Sequence, residues 1–154
     1  MILYLDTSSL VKLYVAENGT PEIERLVVEA TLVCTSVVAY AETRSALARL
    51  CRDGALSLDE HAVAKTDLDR DWPHYLALEV REDISQTAGD LAEEHALRGF
   101  DSIHLASFLH LAKADLGEPV RFSSFDDRLN SAARIEIEET LLREDVQWGV
   151  GGED

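Results

Sequence analysis

Ile2-Leu3-Tyr4-Leu5-Asp6-Thr7-Ser8-Ser9-Leu10 is the stretch that decides the fold of this chain. Four apolar residues, typical of a buried strand, run directly into an aspartate, and hydroxyl residues then begin an amphipathic helix. This pattern predicts an α/β sheet with Asp6 at the carboxyl end of its first strand, the edge where such sheets bind ligands. Taken alone, an Asp before a helix is more often an N-cap than a ligand. Whether Asp6 is a ligand therefore depends on whether other acids reach the same edge of the sheet.

The composition fits one compact domain. The chain has 154 residues, of which 46% are hydrophobic, and this is enough for one full core. No apolar run approaches the roughly 18 residues of a membrane span, and the N-terminus lacks the basic and apolar regions of a signal peptide. We therefore expect a cytoplasmic protein that does not associate with membranes.

The chain is strongly acidic, with 30 acidic and 14 basic residues and a formal charge of −16. This balance argues against broad nonspecific attraction to nucleic acid, because such binding relies on Lys and Arg. It suits a site for a hard cation, a basic protein partner or an ordinary solvated surface. An acidic protein that binds a polyanion would need local basic residues to do so.

Short apolar segments alternate with amphipathic ones along the chain and predict an α/β fold with a mainly parallel sheet of four to five strands. The predicted strands are 2–5, 31–35, 75–80, 120–125 and 134–137. The predicted helices are 8–17, 20–30, 36–53, 57–71, 85–98 and 102–114, with a short helix from Asp126.

Three more acids stand at positions where a site could gather them. Glu42 lies inside the third predicted helix, with Val38 and Ala46 one turn away on the same face. A carboxylate on a core-facing side must be paired or must bind a cation. Asp101 begins the most apolar helix of the chain, and Asp126 directly follows a late strand.

These acids are expected to converge, because the ends of parallel strands share one edge of the sheet. Clustered carboxylates repel one another, and their pKa values rise unless a cation compensates. Ligands that are all oxygen select Mg²⁺ or Mn²⁺ over softer metals. Each acid also has an ordinary explanation, as an N-cap or as an ion-paired helix residue.

The motifs around the acids resemble the PIN-domain ribonucleases, and most closely the VapC toxins of bacterial and archaeal toxin-antitoxin pairs. The similarity covers residues 1–137 and rests on DTSSL, AYAETRSAL, FDSIHLA and FSSFDDRL in this order. It implies a three-layer α/β/α PIN-like nuclease domain, 1–137. Residues 138–154 are acidic and end in glycines, and we expect a C-terminal extension that is partly helical and frayed. The resemblance also implies that four acids are catalytic and bind Mg²⁺, or Mn²⁺ in its place: Asp6, Glu42, Asp101 and Asp126.

The same resemblance implies an RNA substrate, an antitoxin partner of the VapB type and a homodimer. Ser124 and Thr7 match hydroxyl positions that the family has beside its acids. Arg44 is a candidate phosphate contact, although a solvated helix arginine is the commoner role. His104 is either a residue at the edge of the site or a buried structural histidine.

The pair Asp126-Asp127 offers two carboxylates for one ligand position. We favour Asp126, because it directly follows the strand and lies two residues after Ser124. The alternative role for Asp127 is a solvated acid in the first turn of a helix.

Other functions also place an Asp after the first strand. A haloacid-dehalogenase-type phosphatase requires a second Asp two residues later, where this chain has Ser8, and a receiver domain requires adjacent acids near the first strand. Two alternatives stay open: a non-catalytic protein whose acids bind the arginines of a basic partner, and a solitary nuclease of RNA processing.

Overall fold

The computed structural model describes residues 1–114 and 116–148, with side chains up to residue 140. The strands are β1 (Ile2–Leu5), β2 (Leu32–Ser36), β3 (Leu76–Leu78) and β4 (Val120–Ser123). The α-helices are α1 (Thr7–Leu10), α2 (Thr20–Glu29), α3 (Val38–Arg52), α4 (Leu58–Asp71), α5 (Glu82–His95), α6 (Gly99–Ala112) and α7 (Asp127–Trp148). Short 3₁₀ turns follow α1 at Val11–Leu13 and α4 at Trp72–His74.

The four strands form one parallel sheet in the order β3-β2-β1-β4. In the register of the sheet, Leu3 lies between Val33 of β2 and Arg121 of β4. All four carboxyl ends therefore lie at the same edge. The predicted α/β class and parallel sheet are confirmed.

The side chains of β1 alternate between two hydrophobic clusters, one on each face of the sheet. Ile2 and Tyr4 pack with α5, α6 and α7, whereas Leu3 and Leu5 pack with α1 and α2. The sheet is thus covered on both faces, as the three-layer arrangement requires. Although α6 is apolar all round, no helix in the described part of the chain is long and apolar enough to cross a membrane.

The prediction of a strand at 134–137 is wrong, because α7 runs through it without a break. The alternating apolar and polar residues of this segment look like a strand over a short window. Leu129, Ala132 and Ala133 are buried at helical spacing and hold the segment as a helix against the core.

Two other boundaries differ from the prediction. The first helix, predicted to reach residue 17, ends as a 3₁₀ turn at Leu13. At the other end, the helix predicted to be short from Asp126 is α7, which continues through residue 137 to Trp148. The frayed end predicted at 149–154 lies outside the described residues, and a domain boundary at 137 stays a prediction.

Gly19 places the loop before α2 directly against Phe125. Its φ of +93° is left-handed, and a Cβ atom at this position would lie 2.4 Å from Cε1 of the Phe125 ring. A side chain here is therefore strained and also displaces the ring. The glycine keeps the loop and the residue before Asp126 in close contact.

We expect Gly19→Ala to lower the free energy of unfolding by about 1–3 kcal/mol, because it adds backbone strain and a clash. Chemical denaturation measures this change. The matched control is Gly89→Ala within α5, where an added Cβ meets nothing within 4 Å. That change should be neutral or stabilise the protein by up to about 1 kcal/mol. Equal effects of the two substitutions would contradict the role given to Gly19.

Candidate active site

The structure brings the four predicted acids to one open cleft at the carboxyl edge of the sheet, with a volume of about 640 Å³. The acids reach it from four separate segments. Asp6 follows β1, Glu42 comes from α3, Asp101 lies in the first turn of α6, and Asp126 immediately precedes α7. The parallel sheet and the helices that begin at its edge account for this convergence.

Asp6 is the most deeply buried of these acids, with 4% of its surface exposed. Its Oδ1 accepts a hydrogen bond from the backbone N–H of Ser9 at 2.9 Å, which caps α1. The hydroxyls of Ser8 and Ser124 also donate to the carboxylate, at 2.8 and 2.7 Å. Burial nevertheless raises the pKa of Asp6, although these hydrogen bonds lower it. In the described part of the chain, Asp6 has no ion pair with a lysine or arginine.

Glu42 is held by two side chains that the sequence had singled out. Its Oε2 accepts hydrogen bonds from Thr7 Oγ1 at 2.6 Å and from His104 Nε2 at 2.9 Å. Burial alone would raise the pKa of Glu42, but the bonds from His104 and Thr7 lower it below its ordinary value. Both bonds use the same oxygen, so Oε1 is left for another ligand.

His104 is both a buried residue and a residue of the site. Only 2% of it is exposed, and its Nδ1 lies 3.1 Å from the hydroxyl of Tyr4. We assign the hydrogen of this bond to Tyr4, because His104 then carries its own hydrogen on Nε2 and donates it to Glu42. A chain of hydrogen bonds therefore runs from Tyr4 of β1 through His104 to Glu42 at the cleft. The two roles considered for His104 are compatible.

Arg98 joins the other two acids at the mouth of the cleft. Its Nε donates to Asp101 Oδ2 at 3.1 Å, and its Nη2 lies 3.7 Å from Asp126 Oδ2. The Arg98 side chain is 82% exposed, so little packing holds it there. This residue was missed by the sequence reasoning. Its only signal was its position three residues before Asp101.

Asp126 and Asp127 have different surroundings. Asp126 lines the cleft, and its Oδ1 accepts from the backbone N–H of Leu129 at 3.0 Å, as an N-cap does. Asp127 is the first residue of α7 and lines two neighbouring grooves. This placement favours Asp126 as the ligand, and the choice stays a prediction.

The structure does not bring Arg44 into the cleft. Its guanidinium lies 2.7 Å from the hydroxyl of Tyr40 and 3.5 Å from Asp69, on the side of α3 that faces α4. Arg49 lines the cleft instead, seven residues after Glu42 and so on the same helix face. Lys12 also lines it, bound to Glu17 and 4.3 Å from the centre of the Phe125 ring.

The donor set fits a hard divalent cation. The cleft is lined by the four predicted carboxylates and by Glu17, which is paired with Lys12, and it offers nearby hydroxyls and no sulfur. The buried Asp6 lacks a basic partner among the described residues. Another cluster of metal-binding residue types lies outside the cleft, where Glu94, His95 and Glu136 join α5 to α7. The contact of 2.7 Å between His95 and Glu136 is enough to explain that cluster.

The chain is similar in sequence and in fold to known proteins. The profile of the PIN domain family matches residues 3–135. Ribonuclease VapC45 of Mycobacterium tuberculosis is 36% identical over 132 residues, which cover 86% of this chain and 89% of that protein.

Two solved structures share the fold. One is the crystal structure of VapC20 of Mycobacterium tuberculosis, described as a sarcin-ricin loop cleaving toxin, with a TM-score of 0.64 and 18% identity over 84% of this chain and 94% of that one. The other is FitAcB from Neisseria gonorrhoeae, with a TM-score of 0.64 and 19% identity over 87% of this chain and 94% of that one.

We expect Arg98→Gln to bind Mn²⁺ about two- to fivefold more tightly than the wild type, because it removes two weak, exposed ion pairs, with Asp101 and with Asp126. The guanidinium shares the carboxylates of Asp101 and Asp126 with any cation that enters the cleft. Calorimetric titration of the metal-free protein measures the affinity.

The control is Arg49→Gln, which removes the same charge from the same cleft. Arg49 has no ion pair with an acid in the described part of the chain. Its substitution should therefore change the affinity less. Equal gains in the two variants would mean that only the overall charge of the cleft matters.

Proposed function

Because the chain belongs to the PIN-domain family, in its VapC group, we propose that it is a Mg²⁺-dependent endoribonuclease and the toxin of a VapBC-type toxin-antitoxin pair. The observation that carries the proposal is the cleft, where four carboxylates from distant segments meet beside hydroxyls and one of them is buried without a basic partner among the described residues. Structural N-caps alone would not need to share a cleft.

Asp6, Glu42, Asp101 and Asp126 would hold the Mg²⁺, or Mn²⁺ in its place. Such an ion, when bound, lowers the pKa of a water molecule and neutralises the charge that develops on a phosphate and its leaving oxygen. Hydrolysis of a phosphodiester by this route requires no covalent bond to the protein.

The other residues of the cleft prepare the acids for this task. Thr7 and His104 keep Glu42 ionised and fix its orientation, because both donate to one of its oxygens. Ser8 and Ser124 offset the burial of Asp6 in the same way. The carboxylates are therefore positioned before any ligand arrives, which reduces the reorganisation that binding would require.

RNA is the substrate that the relatives' names support, since VapC45 is called a ribonuclease and VapC20 is described as cleaving the sarcin-ricin loop. We propose a VapB-type antitoxin as the partner, because an acidic cleft suits a basic segment of another protein. We also propose that the protein forms a homodimer and is located in the cytoplasm.

Asp6→Asn and Asp126→Asn should each lower the rate of RNA cleavage by about 10²-fold or more, because each removes a charged ligand while keeping the shape of the side chain. Asp127→Asn should keep most of the activity, and this comparison decides which of the two neighbouring acids is the ligand. A cleavage assay on labelled RNA in Mg²⁺ measures all three. Full activity of Asp6→Asn would rule out the metal mechanism.

Mg²⁺ should also stabilise the wild-type protein. At about ten times its dissociation constant, the ion should raise the Tm by about 3–6 °C, and the shift should be much smaller in Asp6→Asn. Thermal unfolding with and without Mg²⁺ measures it without any RNA. The absence of a shift at millimolar Mg²⁺ would favour the acidic partner-binding alternative.

A further inference from the structure

A second groove of about 650 Å³ lies between β4, an edge strand of the sheet, and α7. The strand contributes Arg121, and the helix contributes residues that share one face, among them Ser131 and Arg134. Asp127 is the only acid of the described residues that lines this groove. The groove is therefore basic, on a chain whose net charge is −16.

The arginines of this groove are not neutralised by carboxylates. Within the described residues, Arg25, Arg70 and Arg81 each form an ion pair with an acid, whereas Arg121 and Arg134 form none. Both are exposed to solvent. Acids outnumber bases by 30 to 14, so two guanidiniums without an ion pair at one groove concentrate positive charge locally on an acidic chain.

The groove and the cleft of the four acids each share lining residues with a third, smaller groove. This smaller groove, of about 440 Å³, is lined by two arginines and three acids: Arg98, Arg128, Asp101, Asp126 and Asp127. It shares Asp126 with the cleft and Asp127 with the groove beside β4. Arg128 has no ion pair with an acid among the described residues either, since its guanidinium donates to the carbonyl of Ala96 at 3.1 Å.

We propose that these four arginines form a track that binds the phosphates of an RNA strand on one side of the cleavage site: Arg98, Arg128, Arg121 and Arg134. The inference rests on the proposed function and adds the path of the substrate to it. Guanidinium groups match phosphates in a bidentate geometry. Arg98 is paired with Asp101 and Asp126. The other three arginines have no ion pair with an acid among the described residues and bind a polyanion without first breaking one.

RNA explains the position of the track better than an acidic protein segment does. The track begins at carboxylates whose proposed chemistry requires a phosphodiester, and an acidic peptide does not supply one. Along α7, the distance from Asp127 to Arg134 is about 10 Å, so the track extends past the residues that touch the acids. The track also explains how so acidic a chain attracts RNA, since basic residues lie together beside the cleft.

The test is the double variant Arg121→Gln/Arg134→Gln, studied in the full chain. Its affinity for a labelled single-stranded RNA is measured in an Asp6→Asn background, so that the RNA stays intact. We expect the Kd to rise about tenfold and the slope of log Kd against log salt concentration to fall by about 1.4, since each lost phosphate contact removes about 0.7.

The matched control is Arg25→Gln/Arg81→Gln, which changes the net charge equally but alters two ion-paired arginines outside the track. Its Kd should change less than about twofold, because exposed ion pairs leave little free positive charge. If the two double variants lose the same RNA affinity, the effect is one of overall charge, and the proposed track is wrong. Unchanged RNA binding by Arg121→Gln/Arg134→Gln would also overturn it and would leave the groove to an acidic protein segment.

In the active protein, the double variant Arg121→Gln/Arg134→Gln should raise the KM for RNA and leave kcat and the affinity for Mn²⁺ unchanged, since neither arginine touches the four acids. A fall in kcat with an unchanged KM would contradict a binding role. The two proposals fail in different ways. If the wild-type protein cleaves no RNA in Mg²⁺, the proposed function is wrong. If the protein cleaves RNA but the substitution changes neither KM nor Kd, only the proposed track is wrong.

Discussion

The burial of a carboxylate at the end of the central strand is the constraint on which the rest of this structure depends. Removing a charge from water is costly unless hydrogen bonds or a cation compensate. Asp6 receives its compensation from both sides, from Ser8 and Ser9 in the first helix and from Ser124 just beyond β4. The pairing of β1 with β4 is therefore more than a packing arrangement, because it brings the hydroxyl of Ser124 to the acid.

An ordinary structural role is compatible with the proposed catalytic role of these acids, because a carboxylate has two oxygens. Asp126 caps α7 with Oδ1 and meets Arg98 with Oδ2. Glu42 is similar, since Oε2 takes both of its hydrogen bonds. The same aspartate can thus serve both as an N-cap and as a metal ligand. The cap orients the side chain and leaves one oxygen for another partner.

The elements with strong periodicity could be predicted from the sequence, and so could the meeting of four acids, since parallel topology brings strand ends to one edge. The secondary structure of short segments and the contacts between distant parts of the chain could not be predicted. Residues 134–137 alternate like a strand, but Leu129 and Ala132, outside that window, pack as a helix. Arg98 pairs with Asp126, and no local pattern indicates a contact between residues so far apart. Arg44 was considered because it lies close to Glu42 in sequence, yet it points to Tyr40 and α4.

The unbroken course of α7 has a consequence for how relatives of this protein could diverge. One helix carries the residues from the last acid of the cleft to the last arginine of the track, so the two are fixed in helical phase. Each residue inserted or deleted between them turns everything beyond it by about 100° around the helix axis. A single deletion at residue 130 or 131 would move Arg134 off the groove, but it would also turn the buried Ala132 and Ala133 away from the core. The core therefore fixes the spacing within this helix, and the proposed track can diverge among relatives by substitution more readily than by insertion or deletion.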